Sequence, residues 1–260
     1  MKVVILAGGF GTRISEESHL KPKPMIEIGD NPILWHIMKY YSHFGFNDFI
    51  ICCGYKGYKI KEYFANYYYQ HSDVTFDFSE DNKVIVHNKA KEPWKVTVVD
   101  TGLNTQTGGR IKRVQKYLDN EPFMLTYGDG VSDVNFEELL KFHKESNNIV
   151  TMTAIQPGSK FGVLDLDERG DVLRFEEKSK EDGGWINAGF MVVEPEIFYY
   201  LDENPKLNFE HMTLRSLAKE GKLGAYKHYG FWQCMDTLRD KLHLEALLEE
   251  NEAPWVVWED

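Results

Sequence analysis

Cysteine is scarce, with three residues in a chain of 260: Cys52 and Cys53 lie side by side in an apolar run and Cys234 stands far away. Neither the number nor the spacing makes a metal-ligand set, and the pattern fits small buried hydrophobes kept reduced. A run of basic residues is also lacking, and the formal net charge is −11. That excludes nucleic acid as a partner, because backbone binding needs clustered Lys and Arg to displace counterions from phosphates. No apolar run approaches the roughly 18 residues that a membrane-spanning helix needs, and the short stretch Val3 to Leu6 is interrupted by glycines and charges well before a signal-peptide core forms. The reading is therefore a cytoplasmic protein without a membrane partner. Low-complexity linkers and internal repeats are missing too, which leaves one unit over residues 1–260.

What is present is an alternation. Runs bounded by turn residues predict strands at Lys2 to Leu6, Asp48 to Cys53, Val96 to Val99, Phe123 to Tyr127 and Ile149 to Ile155. Between them, Ile33, Leu34, Ile37, Met38 and Tyr41 make a helical stripe that Gly45 ends, with Asp30, Asn31 and Pro32 suited to its cap and first turn. Ile60, Tyr63, Phe64 and Tyr67 mark a second helix, and Ile111, Val114 and Leu118 a third. Further helices are expected at 209–219 and 237–249. The alternating segments around residues 80–82 and about Arg169 and Gly170 read as hairpins. The fold class is α/β: a Rossmann-like, mostly parallel but mixed sheet flanked by helices, with β-hairpin insertions and a C-terminal, partly helical portion.

Five stretches carry candidate chemistry. LAGGFGTR, Leu6 to Arg13, leaves the first strand at its carboxyl end, where glycines let backbone N–H groups approach phosphate oxygens. Two familiar phosphate motifs fail here: a G-x-G-x-x-G starting at Gly9 would need glycine where Ile14 stands, and no Gly-Lys-Ser/Thr occurs. Instead Arg13 is followed by Lys21 and Lys23 in the proline-braced KPKP, and three cations after a glycine loop suit a triphosphate; a tight turn followed by solvated charges is the other reading. In TYGDG, Asp129 sits between glycines at the end of a strand, where a carboxylate can hold Mg²⁺ or simply serve a turn. In FWQCMDTLRD, Asp236 is the default helix N-cap, a role that another one does not exclude. TGGR, Thr107 to Arg110, either begins a helix or shapes a nucleobase or phosphate contact. In FEEK, Glu177 and Lys178 either meet a sugar hydroxyl and a sugar phosphate or form a solvated pair. The nine histidines show no H-x-x-x-H spacing, and His36, His43 and His211 read as core or surface residues.

Taken together, LAGGFGTR, KPKPM, YGDG, EEK and MDT resemble the sugar-phosphate nucleotidylyltransferase family nearly end to end. The strings IICCGYKGY, VVDTG, TGGR, TYGDG and FWQCMDTLRD are similar to members that use CTP and glucose 1-phosphate and release pyrophosphate. The resemblance implies a nucleotide site made of Leu6, Ala7, Gly8, Gly9, Phe10, Gly11, Thr12, Arg13 and Lys23, with Thr105, Thr107, Gly108 and Arg110 near the base and Gly128 beside the nucleotide. It implies Mg²⁺ on Asp129 and Asp236, sugar-phosphate contacts from Glu177, Lys178, Asn187 and Gly189, and catalytic roles for Arg13, Lys23 and Asp129. Its product would feed deoxysugars of bacterial surface polysaccharide. Other bases, uracil or thymine, and a silent sugar-nucleotide-binding module are the competing readings. The aromatic excess at Tyr63, Phe64, Tyr67, Tyr68 and Tyr69 points to a homo-oligomer whose interface uses the region 48–81.

Overall fold

The computed structural model describes residues 1–79, 81–88, 92–157, 163–166, 172–176 and 184–258. The principal strands are β1 (Lys2–Ala7), β2 (Asp48–Cys53), β3 (Lys95–Asp100), β4 (Phe123–Tyr127), β5 (Gly130–Ser132), β6 (Val150–Ile155), β7 (Ile186–Asn187), β8 (Met191–Val193), β9 (Leu223–Lys227) and β10 (Trp232–Cys234). The longer helices are α1 (Ile33–His43), α2 (Gly57–Gln70), α3 (Thr107–Val114), α4 (Phe136–Glu145) and α5 (Leu238–Glu249).

Among the described residues the main sheet runs β7-β6-β8-β4-β1-β2-β3, with β9 also paired to β6. β3, β2, β1 and β4 are mutually parallel, whereas β8 is antiparallel to both β4 and β6. The mixed, largely parallel α/β sheet expected from the alternation is thus what the chain forms. The central strands β1, β2 and β4 are buried on both faces. Val3, Ile5 and Ala7 point into one core with Ile33, Ile37 and Phe49, while Val4 and Leu6 point into another with Ile50, Ile111 and Phe209.

Chain order reverses beside β1, since β2 leads off on one side and β4 lies on the other. A ligand crevice opens at such a switch point, beyond the carboxyl ends of the parallel strands. The loops after β1, β3 and β4 all emerge there. A separate two-stranded ribbon, β5 against β10, starts immediately after β4 and returns the chain from residue 232 to the same edge.

Several local expectations shift. Pro32 is extended, with ψ 150, and caps α1 without a side-chain bond, because Asn31–Pro32 pairs antiparallel with Glu27–Ile28 before the helix starts. The third helix is α only to Val114 and tightens to 3₁₀ over Gln115–Tyr117, short of Leu118. Phe209–Leu214 is a π-helical turn leading into an α-helix at Arg215–Lys219. Both hairpins form, Val74–Asp77 with Lys83–Val86 and Val163–Leu166 with Val172–Glu176; the turn at Arg169 and Gly170 lies outside the described residues.

Candidate active site

The crevice holds a cavity of about 560 Å³, a size suited to a nucleotide-scale ligand. Leu6 to Arg13, Lys23 and Pro24, Leu103 to Thr107 with Arg110, and Tyr127, Gly128, Asp129 and Asp236 line it. Gly128 donates its N–H to Leu6 O at 3.0 Å, which ties the carboxyl ends of β1 and β4 together.

The glycine loop is shaped by what lies behind it. A Cβ on Gly8 would meet the Arg110 guanidinium at 2.1 Å, and Gly11 has φ +65, a region that disfavours side chains. Gly8 O accepts from Arg110 Nη2 at 3.0 Å and from Tyr55 N at 3.3 Å, so this carbonyl, the wrong sign for a phosphate, is satisfied by the protein. The loop then closes with Ile14 N donating to Gly11 O at 3.1 Å.

Arg110 is only 5% exposed and acts mainly as a brace. Its guanidinium donates to Cys53 O, Thr101 Oγ1, Gly102 O, Gly8 O and Leu103 O, at 2.8 to 3.2 Å. Four of the five acceptors are backbone carbonyls, and two of these, Gly8 and Leu103, belong to residues that line the cavity. The start of α3 is similarly engaged: Gln106 N donates to Pro205 O at 2.8 Å and Gly109 N to Leu207 O at 3.2 Å. Those N–H groups are therefore not offered to an anion, unlike a free helix N-terminus. Gly108 lies outside the lining; a Cβ there would meet Leu207 at 2.8 Å, so its reason is close packing. Thr105 is buried, accepting from Arg113 Nη1 at 2.9 Å.

The charged residues of the lining meet one another. Lys23, 9% exposed, donates from one ammonium to Asp129 Oδ2 at 2.7 Å and to Asp236 Oδ1 at 2.6 Å. Arg13, largely exposed, pairs with the other oxygen of Asp236. The ribbon sets the spacing of the two carboxylates, since Asp129 immediately precedes β5, Asp236 follows β10 by one residue, and Met235 N donates to Asp129 O at 2.8 Å. Burial alone would raise the Asp236 carboxyl pKa, but the hydrogen bond and charge of Lys23, with Arg13 behind them, hold it below its usual value. Burial likewise works against the Lys23 ammonium, and the two aspartates outweigh it and raise its pKa. The cap of α5 is Thr237, in a reciprocal capping box with Asp240. Asp236 is thereby left to the site.

Two hard carboxylate donors on one cation-sized point fit a divalent ion such as Mg²⁺, which takes one or two carboxylates and completes its shell with phosphate and water oxygens. No cluster of three or more acidic, His or Cys ligands occurs among the described residues. Of the three cations expected to face a triphosphate, Lys21 departs, pairing with Glu27 at 2.8 Å outside the lining. Cys234, half-buried nearby, has its thiol pushed up to about 11 by burial and by Asp236 and Asp129, so it stays protonated. His36 is held to about 4 by burial and sits between Ile28 O and Trp255 Nε1, as a neutral core residue.

Asn187 and Gly189, expected to contact a sugar phosphate, lie outside the lining. Asn187 Nδ2 donates to Tyr127 OH at 3.2 Å, and Gly189 N donates to Asn187 Oδ1 at 2.9 Å. Glu177 and Lys178 fall outside the described residues. The residue reading missed Pro24, Leu103, Asn104, Gln106 and Tyr127, which line the cavity, and Glu210 behind them. Tyr127 was legible as the last residue of a strand whose carboxyl end faces the crevice. Leu103 and Asn104, just ahead of the expected Thr105, have neither charge nor glycine to flag them.

The nucleotidyl transferase family profile matches residues 2–252. The chain is 55% identical over all 260 residues to a glucose-1-phosphate cytidylyltransferase of Salmonella typhi, covering 100% of both chains. It is 43% identical to a probable glucose-1-phosphate cytidylyltransferase of Bacillus subtilis strain 168, over 99% of this chain and 100% of that one. The crystal structure of HddC from Yersinia pseudotuberculosis superimposes with TM-score 0.68 at 23% identity, covering 95% of this chain and 99% of that one, which shows the shared fold. With a profile spanning nearly its whole length and relatives of this identity, the chain belongs to the nucleotidyl transferase family.

Proposed function

We propose that the protein transfers the cytidylyl group of CTP to α-D-glucose 1-phosphate, giving CDP-glucose and pyrophosphate. The observation that carries the chemistry is the meeting of Arg13, Lys23, Asp129 and Asp236 in the lining of a cavity that Gly8 to Arg13 help to wall. The choice of substrates rests on the full-length likeness to the Salmonella typhi cytidylyltransferase.

In this reading a phosphate oxygen of glucose 1-phosphate attacks the α-phosphorus of CTP in line and pyrophosphate leaves. The nucleophile is already an anion, so the reaction needs no general base, and among the described residues no histidine or serine lines the cavity. Asp129 and Asp236 would hold Mg²⁺, which supplies charge neutralisation between two polyanions and Lewis-acid polarisation of the phosphates when bound. Lys23 and Arg13 would stabilise charge on the transferring and leaving phosphates. The loop backbone from Gly8 to Arg13 would follow the triphosphate, and Thr105, Thr107 and the braced Arg110 would shape the pocket around the base. Asn187, Gly189, Glu177 and Lys178 are assigned to the sugar phosphate. The halves 1–135 and 136–260 would serve nucleotide and sugar phosphate respectively.

Tyr68 and Tyr69 on α2 and Phe76 and Phe78 on the following hairpin are exposed, Phe78 by 82%. We assign this aromatic surface to contact between copies of the chain, and light scattering at micromolar concentration should report a mass above one chain. A monomer would remove the assignment. No helix among the described residues is long and apolar enough to cross a membrane, in keeping with the cytoplasmic location we assign.

The decisive test is a nucleotide panel with glucose 1-phosphate, scoring pyrophosphate and product mass with and without Mg²⁺. CTP should be turned over in an Mg²⁺-dependent reaction. Turnover of UTP or dTTP with CTP inert would overturn the base assignment, and binding without pyrophosphate release would favour a silent binding module.

A further inference from the structure

Glu210 is absorbed by neither the metal site nor the glycine loop, yet it joins the two sides of the crevice. One carboxylate oxygen accepts from Thr107 Oγ1 at 2.6 Å, and the other accepts from Tyr127 OH at 2.8 Å. Thr107 is the first residue of α3 and Tyr127 the last of β4, and both line the cavity. Tyr127 OH in turn accepts from Asn187 Nδ2 at 3.2 Å, and Asn187 Oδ1 receives Gly189 N. A continuous chain of hydrogen bonds therefore runs Thr107, Glu210, Tyr127, Asn187, Gly189.

Its two ends stand on elements far apart in the sheet. Thr107 follows the loop after β3 and lines the cavity assigned above to the nucleotide. Asn187 belongs to β7, at the other end of the sheet from β3, and is assigned above to the sugar phosphate.

Glu210 is held in place by its own neighbours. It lies in the π-helical turn Phe209–Leu214, whose Asn208 cap accepts from His211 N at 2.7 Å. Phe209 N donates to Thr107 Oγ1 at 2.9 Å, so the same hydroxyl fixes the backbone of this turn and donates to its carboxylate. π-helical turns occur often at functional sites. Only a carboxylate can accept from both hydroxyls at once; a glutamine in its place offers one oxygen and one N–H₂, so one of the two bonds must break or reverse.

We infer that Glu210 is a positioning residue that couples the nucleotide side of the crevice to the sugar-phosphate side by holding Thr107 and Tyr127 in one register. The inference deepens the transferase reading above and rests on it for the identity of the two substrates. It makes Tyr127 the link through which the sugar side is set.

The test is steady-state kinetics of the whole enzyme with each substrate varied, together with calorimetric binding of CTP and of glucose 1-phosphate in Mg²⁺, for Glu210→Gln, Tyr127→Phe and the double variant. Tyr127→Phe should raise KM and Kd for glucose 1-phosphate ~5- to 20-fold while leaving those for CTP within about twofold. Glu210→Gln should raise both sets ~5- to 20-fold with Tm nearly unchanged, and adding Tyr127→Phe to it should bring little further loss on the sugar side. Unchanged constants in Glu210→Gln, a lowered Tm with unchanged constants, or losses that simply multiply in the double variant would overturn the inference. A wild-type enzyme that uses another nucleoside triphosphate would overturn only the base assignment, and the same constants would then be read with that nucleotide. If no pair is turned over, the transferase reading fails, and the calorimetric constants alone decide the coupling.

Discussion

Two glycine-rich stretches, Gly8 to Arg13 and Thr107 to Arg110, both contribute to the lining of one cavity, and each ends in an arginine. Their arginines have opposite fates. Arg13 is exposed and holds a single carboxylate, Asp236, which is itself shared with Lys23. Arg110 is buried among four carbonyls and a hydroxyl. A guanidinium in a full set of fixed acceptors is a structural tie, while one paired with a single, partly solvated anion can exchange that partner for a phosphate. The glycines differ in the same way: Gly8 is required by the buried arginine behind it, whereas a Cβ on Gly9 would meet nothing within 4 Å.

This contrast is open to direct attack. Asp129→Ala and Asp236→Ala remove the carboxylates that hold the free cations and would hold the metal, and each should lower turnover by about 10³-fold with the fold retained; near-wild-type rates in a pyrophosphate assay would take that residue out of the site. Arg110→Met should instead reduce stability, by ~3 kcal/mol or more, because several buried carbonyls lose their donor together. A denaturant midpoint equal to that of the wild type would make Arg110 a second free cation. Arg13→Ala should lower kcat/KM by about 10²-fold, while Tm moves by no more than about 1 °C, since an exposed ion pair contributes little to stability. An unchanged kcat/KM would refute its catalytic assignment. The smallest effect on stability is expected from Gly9→Ala, within about 0.5 kcal/mol, against a clear loss for Gly8→Ala; equal denaturant midpoints for the two would contradict the steric account of the loop.

Much of this architecture was readable without coordinates. The five strands expected from sequence are short apolar runs between turn residues, and burial on both sheet faces gives the central ones that composition. The Asp129 position was legible for a related reason, since a polar residue between glycines at the carboxyl end of a strand stands at the crevice. Lys21 and Lys23, two residues apart in KPKP, look equivalent in sequence, and only Lys23 turns inward because Glu27 takes the other. Asp236 read as a cap because it precedes a helix; Thr237 forms the capping box and releases it.

What local pattern conveys is periodicity, turn chemistry and the stock of charges, because each depends on residues a few positions apart. Which charge is free and which is tied depends on partners far along the chain: Lys23 meets Asp236 across 213 positions, Arg110 meets Gly8 across 102, and Thr107 meets Glu210 across 103. Such pairs leave no period in the sequence. They arise when the parallel strands bring their carboxyl ends to one edge and the β5–β10 ribbon folds back beside them. Burial there removes competing water, so the nearest acceptor fixes what each cation does.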